Sequence, residues 1–90
     1  MKYELVLTDS AAHDLVSVVE FIAKDSIACA HSYHDGLVAK LKLLENEPLL
    51  GRAHSTKKFR HAGYRELVML SHIAHYTIDK ANGRINIIRV

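Results

Sequence analysis

The sequence predicts an α+β domain of order β-α-α-β-β-β, a helical hairpin packed on a small, mainly antiparallel sheet. Three observations predict it. Apolar residues alternate with period two at both ends of the chain, the strand signature. Between about residues 10 and 46 they recur with helical spacing, interrupted once by a capping sequence. An Asn-Gly pair, Asn82-Gly83, divides the last two strand-like runs, which is a strong hairpin signal.

Residues 3–8, YELVLT, are rich in strand formers and give the first strand. Asp9 and Ser10 offer N-caps for a helix over residues 10–23, in which Ala11, Leu15, Val18, Val19 and Ile22 fall on one face. Lys24-Asp25-Ser26 breaks that helix and caps a second, over residues 27–46, with Ala30, Tyr33, Leu37, Leu41 and Leu44 as its stripe. Pro48 ends it, because proline disfavours helical backbone at the residue before it. Residues 48–63, PLLGRAHSTKKFRHAG, read as a basic loop with room for a short strand. Three strands follow at 64–70, 72–79 and 84–90, and in the last, Ile85, Ile87 and Arg89 share one face.

Length and composition bound the function. Residues 1–90 make one domain, and 49% apolar residues suffice for one core. No apolar run approaches the ~18 residues of a membrane span, and MKYELVLTDS lacks the apolar core of a signal peptide. Cys29 stands alone, which excludes a disulfide framework and a cysteine zinc knuckle. These features predict a cytoplasmic protein without a membrane partner. Net charge is +2, divided unevenly: residues 1–50 set four lysines against eight acids, and residues 51–90 set eight Lys/Arg against Glu66 and Asp79. Either the halves attract each other within the fold, or the second half meets an acidic partner.

Seven histidines invite a metal reading. His31 and His34 share a helix face, but His72 and His75 point to opposite faces of a strand, and no HExxH motif is present. The histidines therefore read as solvent-facing, with no metal and no cofactor expected. Cys29, between Ala28 and Ala30, reads as a small core residue. The basic residues remain as candidates: Arg52, Lys57, Lys58, Arg60 and Arg65 for partner binding. A metal-free ribonuclease would need a base, an acid and cations around the phosphate, and Arg65, Tyr76 and Arg89 are the residues for that case.

Six segments, in order, carry a resemblance: the opening YELVLTDSAAHDL, the helix junction FIAKDSIACA, the helix end and loop LLENEPLLGR, the strand AGYREL, and the final hairpin HIAHYTID with INIIRV. Together they resemble the toxins of the ParE/RelE superfamily of bacterial toxin–antitoxin systems. The resemblance implies the β-α-α-β-β-β fold. It also implies a cognate antitoxin, usually encoded next door, whose disordered C-terminal segment folds over the toxin in a toxin–antitoxin hetero-oligomer. RelE-like members cleave messenger RNA in the ribosome, and ParE-like members inhibit DNA gyrase by binding it. The RelE-like branch usually carries an arginine in the penultimate strand at the position that corresponds to Ile73. That departure favours the ParE-like branch: a gyrase inhibitor of a plasmid-stabilisation system, with no catalytic residues. The alternative is a ribosome-dependent messenger RNA endoribonuclease. The family usually continues past "RV" with a short basic tail, whereas this sequence stops at Val90. A third expectation is therefore a truncated toxin that only binds antitoxin.

Overall fold

Thr8 is the hinge on which the first strand becomes a helix. The structure, a computed structural model, describes residues 2–90. In it β1 (Glu4–Leu7) is followed by α1 (Asp9–Ala23), and Thr8 between them keeps extended backbone. Its hydroxyl accepts the Ala11 N–H at 3.1 Å and donates to the Ile88 carbonyl at 2.8 Å. The cap therefore falls one residue before Asp9 and two before Ser10, the expected positions, because only Thr8 both caps the helix and ties its start to the last strand.

Ser26 caps α2 (Ile27–Leu43) as expected, accepting the Cys29 N–H at 3.2 Å. The helix stops at Leu43 and not at residue 46. The amides of Leu44, Glu45 and Asn46 each bond a carbonyl three residues back, the tighter winding that commonly closes a helix. Both apolar stripes meet the sheet. Ala11 and Leu15 of α1 and Leu37 and Leu41 of α2, with Leu44, close over Leu67, Met69, Ala74, Tyr76, Ile85 and Ile87. Truncating a buried leucine such as Leu37 would cost about 2–5 kcal/mol. Cys29 departs from expectation: it is exposed, because the α2 stripe runs through Ala30 and turns Cys29 outward.

The basic loop is more structured than the sequence suggests. It contains a two-residue strand, β2 (Arg52–Ala53), and a short helix, α3 (Lys57–His61). The run KKFRH has no apolar period to announce a helix. Then come β3 (Arg65–Met69), β4 (His72–Asp79) and β5 (Arg84–Arg89). The five strands form one sheet in the order β1-β5-β4-β3-β2, parallel between β1 and β5 and antiparallel elsewhere. Of the Asn-Gly pair in the final turn only Gly83 takes positive φ, and Asn82 is held by both carboxylate oxygens of Asp79. Among the described residues no helix is long and apolar enough to cross a membrane.

Alternation along β3 and β4 decides what the site can be. Leu67, Met69, Ala74 and Tyr76 face the helices. Glu66, Val68, Ile73 and His75 face the other way, where the β2–α3 excursion covers only part of the sheet.

Candidate functional site

The excursion is anchored at Gly51. Tyr76 is fully buried, and its hydroxyl donates to the Pro48 carbonyl at 2.8 Å. It accepts from the Gly51 amide at 3.1 Å and from Arg65 Nε at 3.3 Å. The Arg65 guanidinium also caps the Gly51 carbonyl at 2.6 Å and the Leu49 carbonyl at 3.3 Å. No side chain fits at position 51: a Cβ there would overlap the Glu66 carbonyl oxygen and lie 2.6 Å from the Tyr76 hydroxyl. This network closes the polar groups of a loop that leaves the sheet, which is what buried backbone requires.

Beyond the anchor, Arg52, Lys57, Lys58 and Arg60 are all exposed on the excursion. Four exposed cations on nine residues make this a locally positive surface. Arg65, the fifth partner-binding candidate, is only half-exposed, and its guanidinium is engaged by Tyr76 and two carbonyls. Of the three ribonuclease candidates, the structure joins Arg65 to Tyr76 and sets Arg89 apart. Arg89 makes a two-pronged pair with Asp14 of α1, at 2.7 and 3.0 Å, and the Val90 amide adds a third bond at 3.0 Å. The Arg89 guanidinium holds the Asp14 carboxyl below the usual carboxylate range, and burial opposes this more weakly.

Phe59 of α3 folds back on the excursion, edge-on to His54 at 5.2 Å and to Tyr64 at 5.7 Å. With His75, Ile88 and Arg89 these rings line a cavity of about 240 Å³ on the open face of the sheet. His54 and His75, expected to face solvent, are half-buried, with ring centroids 5.1 Å apart. Glu66 lies beside them and is 4% exposed. The Ser55 N–H, 2.6 Å from Glu66 Oε1, holds that carboxyl below its usual range against the opposing push of burial. The sequence reading missed this cluster. The pairing of Glu66 with His75 follows from the β3–β4 register, but nothing in the sequence brings His54 over them.

On the helix side, His72 meets Tyr33, whose hydroxyl lies 2.6 Å from His72 Nδ1, so His72 and His75 do point to opposite faces. Exposed apolar side chains gather near the unpaired part of β3. Val68, Leu43 and Leu50 flank a groove of about 320 Å³ lined also by Lys40 and Arg52. β2 is short, pairing only with Arg65 and Glu66, so the rest of β3 is a sheet edge among the described residues.

The helical hairpin on a five-stranded sheet is the architecture of ParE/RelE-superfamily toxins. A structure of a chromosomal ParDE toxin–antitoxin system from P. aeruginosa superposes with a TM-score of 0.76 at 20% identity, covering 98% of this chain and 92% of that one. The RelBE2 toxin–antitoxin complex from Mycobacterium tuberculosis superposes with a TM-score of 0.64 at 22% identity, covering 99% and 95%. At these identities the likeness speaks for the fold. No curated protein matches the sequence. The family follows from the sequence itself: residues 5–90 match the ParE toxin of type II toxin–antitoxin systems, parDE, and the chain belongs to that family.

Proposed function

We propose that this toxin acts by protein binding: it inhibits DNA gyrase, is neutralised by a cognate antitoxin and serves plasmid stabilisation. The observation that carries this reading is the state of Arg65 and Tyr76. The residues best suited to phosphodiester chemistry are spent on the anchor of the excursion, and position 73 carries Ile and not a cation. A fully buried tyrosine whose hydroxyl makes three internal bonds has no free proton to offer a substrate.

The antitoxin reading rests on the groove beside β3. An extended segment adding to that edge would gain main-chain hydrogen bonds, bury Val68, Leu43 and Leu50, and place acidic side chains against Arg52 and the α3 cations. One feature favours the second reading, a ribosome-dependent endoribonuclease: two imidazoles and Arg89 line a single cavity. Inducible expression in bacteria, with and without the protein encoded next to it, tests the proposal. Growth arrest with relaxed plasmid DNA, reversed by the neighbour, supports it. Arrest with cleaved messenger RNA and normal supercoiling replaces it with the second reading.

A further inference from the structure

We propose that His54, Glu66 and His75 bind a divalent transition-metal ion of the zinc class, and that the ion ties the basic excursion to the sheet. One ligand atom from each residue lies within 4.8 Å of the other two. Yet among the described residues neither imidazole approaches the carboxylate within the 4.0 Å of an ion pair. The three groups converge and leave a gap. In a tetrahedral zinc site with bonds of about 2.0–2.1 Å, ligand atoms stand about 3.3 Å apart, so closure needs small movements of side chains only.

The donor set suits the ion. Two imidazoles and one carboxylate are borderline ligands that favour zinc over calcium or magnesium. Glu66 is the one buried charged residue among those described, and a buried carboxylate gains most from a cation. Its orientation is already fixed by the Ser55 amide on Oε1, the kind of outer hydrogen bond that conserves ligand geometry in metal sites. The cavity bordered by Phe59, Tyr64 and Ile88 opens beside the two histidines and leaves space for a water as fourth ligand.

Binding has a local cost that identifies it. The Thr56 N–H donates to His54 Nδ1 at 3.0 Å, so that nitrogen carries a lone pair and the neutral ring holds its proton on Nε2. Coordination through Nδ1 displaces the Thr56 amide, and coordination through Nε2 moves the proton to Nδ1. Either way Thr56, the start of α3, loses its acceptor. Metal entry therefore frees one amide while it ties the excursion as a whole to β3 and β4. None of the ligands belongs to the Arg65–Tyr76 anchor, so the inference stands apart from the gyrase reading.

The test uses the untagged chain, freed of metal with a chelator. Zinc titration by calorimetry is expected to give one saturable site, and cobalt a tetrahedral visible spectrum. Glu66→Gln, which keeps the size and an oxygen for the Ser55 amide, and His54→Ala, on the exposed excursion, are each expected to weaken zinc at least about 100-fold, beyond what outer-sphere partners carry. Hydrogen exchange is expected to speed at Thr56 and slow across the rest of the excursion when zinc is added. The proposal is overturned if no saturable binding appears up to millimolar metal. It is equally overturned if binding survives both variants but is lost when His31 and His34 are replaced by Ala.

Discussion

Replacing Tyr76 by Phe removes one oxygen atom and leaves the ring in a fully buried site. That oxygen serves three partners: the Pro48 carbonyl, the Gly51 amide and Arg65 Nε. Arg65 retains its bonds to the carbonyls of Gly51 and Leu49, so its loss is partial. The Pro48 carbonyl and the Gly51 amide have no replacement in the packed anchor, and each half-buried orphan costs about 1 kcal/mol or more. The expected loss is about 2–3 kcal/mol, a drop in melting temperature of about 8–24 °C for a domain of this size. Thermal and urea unfolding of the variant, beside a Tyr64→Phe control, measure it. A loss below about 0.5 kcal/mol would refute the reasoning, because the hydroxyl would then be free of structural duty and available for chemistry.

Further outcomes follow from the same structure. Gly51→Ala forces a Cβ into the Glu66 carbonyl and is expected to destabilise by about 1–3 kcal/mol or more, read by urea midpoint. Asp14 has a lowered folded pKa, so its stabilisation is present above the unfolded aspartate value and is lost as pH falls through the folded one. Asp14→Asn should therefore be less stable than the parent at pH 7, with the gap narrowing in paired unfolding curves as pH falls below the unfolded aspartate value and through the lowered folded one. Changing Lys57, Lys58 and Arg60 together to Glu should leave the melting temperature nearly unchanged, since all three are exposed. Antitoxin association should slow by about tenfold or more, and its salt dependence should flatten, in stopped-flow or surface-based kinetics.

The parts of the fold set by periodicity were legible. Leu37 and Leu41 of α2, Leu44 just past its end, and Ile85 and Ile87 of β5 are buried as their spacing predicts, because tertiary packing follows the same faces. Boundaries that depend on one hydrogen bond were not. Thr8 takes the cap because Ile88, eighty residues later, offers it a carbonyl. The candidate site was legible in its exposed cations and not in its interior. Arg65 and Tyr76 could be singled out by type, but their closure on Pro48 and Gly51 depends on the path of a loop with no repeating pattern. The same loop path brings His54 to His75.

The most direct test of the account is a supercoiling assay with purified gyrase, titrated with the purified chain, beside a translating ribosome extract that receives the same protein. The account predicts that supercoiling falls with added chain, that messenger RNA stays intact, and that stoichiometric antitoxin restores supercoiling. Unchanged supercoiling with cleaved messenger RNA would contradict it.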